Sequence, residues 1–383
     1  MIKPGNNNCF IRFSVNFCRF IAALVFLFSG FVKAVDPVGT QIKFEDYLRS
    51  FEMGDLFTGD MLLVAACVLA GLEFLMGLYM LLGVYRKSTT LFMLIMMACF
   101  TPLTLYLAIL SPVSDCGCFG DALVLTNWQT FSKNIFLLLL IVYLFIYKDR
   151  IALFVSPSSQ WFVTMMAALL IILFMFYNVK HLPVFDFRAY KRGVNLREMV
   201  LEKGDMRFAD LSVWDESGDD LTEYILDYSG YTFLLIFSFL EDASHENLDL
   251  VDDLYYYSTQ QGFRFFALTS SGTLQIEDWR ISTGAEYDFL FADEVPLKTF
   301  IRSNPGLVLL NNGIIVEKWS HKDIPAESTF SDLIENPAIG NEDRNDLQYT
   351  ALKVLTIFLL PFLLIVFFDW AFISRRKKKK ERC

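Results

Sequence analysis

Two thiols separated by a single glycine occupy the loop Asp115-Cys116-Gly117-Cys118-Phe119-Gly120-Asp121, which lies between two apolar runs long enough to cross a bilayer. Sulfurs at this spacing have three uses. They can open and close as a redox pair, form a static bridge that clips the loop, or supply half of a metal site, which then needs two further ligands. Glycine suits a bridge, because closing a disulfide across one residue needs a backbone turn that a Cβ would obstruct. So small a ring is strained, and a strained disulfide is the more easily reduced, as a cycling pair requires. Cys116 and Cys118 are therefore the candidate catalytic residues, and no metal is expected.

The chain has 383 residues, of which 54% are hydrophobic, with 39 Phe, far too apolar for a soluble protein of ordinary shape. The formal charge of -10 is unevenly spread, with Lys and Arg gathered in a few short segments, and no nucleic-acid partner is expected. There are seven cysteines. Cys67 and Cys99 fall in apolar runs, while Cys9 and Cys383 belong to basic termini, so only Cys116 and Cys118 are neighbours in an exposed loop.

Six apolar runs read as membrane spans: Phe20 to Val35, Met61 to Tyr85, Thr89 to Leu110, about Phe131 to Tyr147, Trp161 to Val179, and Thr350 to Ile373. At 1.5 Å per residue, Met61 to Tyr85 is long enough to cross about 30 Å of hydrocarbon. The first is preceded by Arg12 and Arg19 and has the profile of a signal peptide or a retained helix. Val32-Lys33-Ala34 is a poor cleavage site, and retention is expected. The block Arg375-Arg376-Lys377-Lys378-Lys379-Lys380 resists translocation and keeps the C-terminus in the cytoplasm. Arg86-Lys87, Lys148-Arg150 and the basic N-terminus then all fall on the same side. The lysine-free and arginine-free stretch Ser111 to Thr130 lies opposite, together with the charged segment Lys180 to Gln348. That places both in the periplasm of a bacterial inner-membrane protein, where disulfides persist.

Polar residues inside the spans are the next candidates. Glu73 lies near the bilayer midplane, where an unpaired carboxylate is costly, and Thr101 lies at the same depth beside Pro102. Glu73 and Thr101 are expected to meet, as proton-handling groups or the polar wall of a quinone pocket; the alternative is a protonated Glu73 hydrogen-bonded inside the bundle. Gly71 and Gly77 would allow close helix approach. Lys33 and Lys133 lie near helix ends and are expected to snorkel to the headgroups. Asn134 would cap or polarise the same region.

The run Arg19-Phe20-Ile21-Ala22-Ala23-Leu24-Val25-Phe26-Leu27-Phe28-Ser29-Gly30-Phe31-Val32-Lys33, the segment Glu73-Phe74-Leu75-Met76-Gly77 and the Cys116-Gly117-Cys118-Phe119-Gly120 loop resemble the DoxX-type and methylamine-utilisation (MauE-type) four-helix membrane proteins. The resemblance covers about residues 15 to 150. It implies a membrane component of periplasmic redox chemistry or disulfide maturation of partner proteins, distantly similar to quinone-linked disulfide oxidases. The chain departs from that pattern by two extra spans and a soluble domain. Its expected division is a four-helix domain at 1–150, a fifth helix at 151–180, a periplasmic domain at 181–348, a sixth helix at 349–374 and a basic tail at 375–383.

In the soluble segment, Tyr231 to Ser238 is apolar enough for a buried central strand, and Glu246 to Gln261 has helical spacing. Phe263 to Thr269 and Tyr287 to Ala292 follow as strands, Val295 to Arg302 as a short helix, and Leu307 to Leu310 with Ile314 to Trp319 as a hairpin across Asn311-Asn312-Gly313. This order, with Pro305 directly before a strand, resembles a thioredoxin-like α/β domain, in which such a proline is commonly cis. Where that family carries its reactive pair, this chain reads Phe239-Leu240-Glu241-Asp242-Ala243-Ser244-His245. With no cysteine between Cys118 and Cys383, the domain cannot exchange disulfides, because attack needs a thiol. Ser244 and His245 read as a solvated loop, His181 and His321 as isolated, and Tyr255-Tyr256-Tyr257 as core packing more than surface.

Two functions fit this reading. In one, an α-helical membrane protein with a thioredoxin-like domain uses Cys116 and Cys118 for disulfide formation or electron transfer, with a quinone as acceptor and a periplasmic client or a separate thioredoxin-like protein as partner. In the other, a non-enzymatic assembly factor or receptor carries a static disulfide and a client-binding domain.

Overall fold

The computed structural model describes residues 5–113, 116–205, 208, 210–327, 329–330, 334 and 344–380. Asp115 of the cysteine loop lies outside the described residues. The chain packs as two units, residues 1–179 with 351–383, and residues 180–350.

In the first unit α1 (Gly5–Val35), α3 (Gly59–Leu82), α4 (Arg86–Leu110), α5 (Asn127–Ile146) and α6 (Gln160–Lys180) are separated by short connections that also carry α2 (Pro37–Ser50). Among the described residues, six helices are long and apolar enough to span a membrane, the last of them within Arg344–Lys380. Local sequence sets their ends. Asp36 accepts from the Gly39 amide ahead of Pro37 and so starts α2. Thr126 and Gln129 form a reciprocal capping box at the start of α5. Helix α2 falls within a stretch that reads from sequence only as a polar connection.

Two glycines bring α1 and α3 together. A Cβ on Gly30 would stand 2.3 Å from the Phe74 amide nitrogen, and one on Gly77 would stand 2.5 Å from that of Leu27. The helices therefore touch backbone to backbone, in antiparallel register, over the turn that carries Lys33 and Glu73. Gly71 has no such role, since a Cβ there would meet only the Met175 side chain at 3.8 Å. The core of this unit includes Ala22, Ala23, Phe26, Ala70, Phe74, Leu137 and Ile141, and Phe358 of the C-terminal helix packs edge-on against Phe31, Phe74 and Phe174.

The second unit is one six-stranded sheet of order β1-β4-β3-β2-β5-β6. Its strands are β1 (Val213–Trp214), β2 (Tyr231–Phe237), β3 (Arg264–Thr269), β4 (Asp288–Ala292), β5 (Gly306–Asn311) and β6 (Ile314–Ser320). β2, β3 and β4 are parallel, and β5 and β6 are antiparallel additions beside β2. The connecting helices are α7 (Thr222–Leu226), α8 (Leu248–Gln261), α9 (Thr273–Thr283) and α10 (Glu294–Phe300). Phe233, Leu235 and Phe237 point to one apolar layer with α8 and α9. Leu234 and Ile236 point to the other with α10, which explains why β2 reads as an unbroken hydrophobic run. The Asn304–Pro305 bond before β5 is cis. Helix α9, which the sequence reading omits, buries only Ile276 and Trp279, too few for a clear period. Three parallel strands extended by an antiparallel hairpin behind a cis-proline define a thioredoxin-like α/β domain.

Candidate thiol site at the Cys116–Cys118 loop

Gly117 has φ +61°, the left-handed conformation that glycine adopts without strain. The turn it makes is closed by the Gly120 amide donating to the Gly117 carbonyl at 3.0 Å, and it brings Cys116 Sγ and Cys118 Sγ to 2.7 Å. The two side chains thus meet across the turn. Each sulfur-bearing residue is held by its carbonyl. Tyr47 of α2 donates to the Cys116 carbonyl, and Ser29 Oγ and Lys33 Nζ of α1 donate to the Cys118 carbonyl at 2.8 and 2.7 Å. Lys43 of α2 lies over Gly117, its Cγ only 3.0 Å from where a Cβ would be.

Lys33 does not snorkel to a headgroup region. It is 5% exposed and points into the bundle, where Nζ meets Glu73 Oε2 at 2.7 Å and Ser29 Oγ at 2.8 Å. Glu73, 6% exposed, therefore pairs with Lys33 and not with Thr101. The Thr101 hydroxyl turns back onto the Met97 carbonyl at 2.7 Å, satisfying itself within its own helix. Lys133 also turns inward, with Nζ 4.2 Å from the centre of the Phe119 ring. Asn134 donates to Thr104 Oγ1 at 3.1 Å. Phe119 is buried and packs on Phe28, which roots the loop in the bundle.

The electrostatics separate the two sulfurs. The hydrogen bond from Cys116 favours the Cys118 thiolate, burial opposes it, and the charges of Lys133 and Lys33 outweigh Glu73, so the Cys118 thiol is held down to about 6. The same hydrogen bond and burial push Cys116 up. A small, partly open cavity of about 40 Å³ adjoins Cys118, lined by Ser29, Glu73, Lys133, Asn134 and Phe100 among others. That is space for about one water.

Lys33, Ser29, Tyr47 and Lys133 are the site residues that sequence reasoning did not assign. A signal for the first two was present: Ser29 and Lys33 are one turn apart on one face of α1, and a lysine within an apolar span calls for a buried partner.

In the second unit, the loop after β2 is tied down without sulfur. Leu240 donates to Ser271 Oγ at 2.9 Å, Ser271 Oγ donates to Glu241 at 2.7 Å, and Asn304 Nδ2 donates to the Phe239 carbonyl at 2.7 Å. His245 is exposed, as expected of a solvated loop, and its ring stacks on Trp279, ring centres 4.8 Å apart. The other histidines have partners too: His181 meets Asp323 at 2.8 Å, and His321 meets Ser303 Oγ at 2.9 Å. Among the three tyrosines Tyr257 is buried and Tyr256 exposed.

Fold and site together define a multi-pass helical membrane protein that carries a thioredoxin-like domain. Residues 11–147 match the family described as methylamine utilisation protein MauE, so a MauE-type membrane region is fused here to that domain. No curated protein matches the chain. Among solved structures, the chain is similar to the thioredoxin domain of a thiol-disulfide oxidoreductase from Bacteroides vulgatus, with 14% identity, 34% of this chain and 93% of the other covered, and a TM-score of 0.25. It is also similar to an uncharacterized thioredoxin-like protein from Porphyromonas gingivalis, with 15% identity, 35% and 92% covered, and a TM-score of 0.26.

Proposed function

We propose that this protein is a membrane-bound thiol–disulfide exchange protein for the maturation of periplasmic partners, with Cys116 and Cys118 as the exchanging pair. The observation that carries the reading is the meeting of two sulfurs, 2.7 Å apart, in a loop whose inner cysteine lies beside lysines that favour its thiolate. The basic tail Arg375–Lys380 and the absence of Lys and Arg from Ser111 to Thr130 support a periplasmic loop and domain.

The asymmetry assigns the order of events. A client thiolate attacks Cys116 Sγ of the oxidised pair, the client S–Sγ bond forms as the Sγ–Sγ bond breaks, and the electron pair leaves on Cys118, the better leaving group. A second client thiolate then attacks the client sulfur of the mixed disulfide and releases Cys116, which takes up a proton. Two electrons have passed from the client dithiol to the Cys116–Cys118 pair. Run backwards, the same steps reduce a client disulfide. These steps run between protein thiols, and a quinone as the final electron acceptor remains part of the proposal. The thioredoxin-like domain, lacking a thiol, serves to bind clients.

The test is trapping in intact cells. Cys118→Ser removes the resolving thiolate and accumulates mixed disulfides on Cys116, whereas Cys116→Ser yields fewer. If neither variant captures a client, and the wild-type pair stays in one thiol state under oxidising and reducing growth, the bridge is static and the protein an assembly factor.

A further inference from the structure

Beneath the cysteine loop lies an ion pair for which exchange chemistry alone gives no reason. Lys33 uses its three donors on Ser29, Glu73 and the Cys118 carbonyl. As a staple between helices the pair is poorly motivated, because taking two charges out of water offsets most of their attraction, and Gly30 and Gly77 already bring α1 and α3 into contact. The hydrogen bond to Cys118 is what a staple leaves unexplained. It reaches the residue whose sulfur faces the same small cavity as Glu73 and Lys133.

We propose that Lys33 and Glu73 are positioning residues for Cys118: Lys33 grips the loop through the Cys118 carbonyl and sets positive charge beside the sulfur, while Glu73 holds Lys33 in place and attenuates that charge. The inference deepens the exchange reading and rests on it only for the use to which the tuned sulfur is put. Among the described residues, the charged and titratable groups acting on Cys118 are Lys33 from α1, Glu73 from α3, Lys133 from α5 and Cys116 in the loop. Helix α2 adds Tyr47 at the Cys116 carbonyl and Lys43 over Gly117, and α4 lines the cavity with the apolar Met97 and Phe100. Of these, Lys33 and Glu73 pull the thiol in opposite directions, the cation favouring the thiolate and the carboxylate disfavouring it.

That opposition supplies the experiment. The reduced full-length protein in detergent is alkylated with iodoacetamide over a pH series, and the rate at Cys118 is read by mass spectrometry. The wild-type midpoint is expected below that of an ordinary cysteine. Lys33→Gln moves the midpoint up by about one pH unit and Glu73→Gln moves it down, the size expected for one nearby charge. Lys33→Arg keeps the wild-type midpoint, and the double variant Lys33→Gln with Glu73→Gln returns toward it. A mere staple predicts that both single variants loosen the loop and shift the midpoint the same way. That result, two unmoved midpoints, or a wild-type thiol that reacts only as an ordinary cysteine does, each overturns the proposal. Opposite shifts without any client trapped on Cys116 uphold the tuning and remove the exchange reading, so the two can fail separately.

Discussion

Between Cys116 and Cys118 the asymmetry is set by neighbours and not by residue type. The hydrogen bond from Cys116 and the nearby lysines lower the Cys118 thiol, while the same hydrogen bond and burial raise Cys116, so Cys118 is the sulfur expected to ionise first. Alkylation of the reduced protein at pH 7 is therefore expected to label Cys118 several-fold faster than Cys116; mass spectrometry of the two modified forms checks this. Gly117 offers a second handle. An alanine there would have to hold φ +61° and press on Lys43. The left-handed backbone alone costs about 1 kcal/mol, so Gly117→Ala is expected to disfavour ring closure roughly five-fold, as read by redox titration against glutathione. The two cysteines were legible in the sequence because their spacing is itself the signal. Lys33 was misread because its partner Glu73 is remote along the chain, and a lysine three residues from the end of an apolar run looks like an interfacial anchor until the register of the opposing helix is known.

That register belongs to the helices. Gly30 and Gly77 are the points where α1 and α3 meet backbone to backbone, and they place Lys33 opposite Glu73 one turn away. Gly77→Val forces the helices apart, because the obstructing atoms are backbone and cannot yield. It is expected to lower the melting temperature in detergent and to release Lys33 from Cys118, raising the pH at which Cys118 reacts toward that of Lys33→Gln. A melting temperature and alkylation midpoint equal to wild type would contradict the geometry. The spans were plain from length and apolarity, and strands β2 to β6 from unbroken apolar runs and the Asn312–Gly313 turn. Helix α2 was not, because it buries only Pro37 and Thr40 and carries its charges all round. Its signals were local, an Asp36-Pro37 start that also marks a turn, and its task of covering the cysteine loop is set by tertiary packing.

At the level of the whole molecule, each unit has its own core and its own sensitivity to conditions. In the thioredoxin-like unit Asp186 is gripped by Arg188 at 2.7 Å and by Lys318 at 2.5 Å. Burial works against its charge, but the two cations and their hydrogen bonds hold the carboxyl well below the usual range. A carboxyl depressed in the folded state gives stability that is fully present above its unfolded value of about 4 and is lost as pH falls below that. Tryptophan fluorescence of this unit is expected to report a falling melting temperature below about pH 4. Asp186→Asn, which leaves Lys318 buried without its counter-charge, is expected to cost about 3 kcal/mol at neutral pH. The same unit holds no sulfur apart from its methionines, since no cysteine lies between Cys118 and Cys383, and its loop after β2 is laced by Ser271 and Asn304 instead. A change of redox conditions therefore finds no thiol in this unit to act on, and its fold is expected to keep one shape through oxidation and reduction alike.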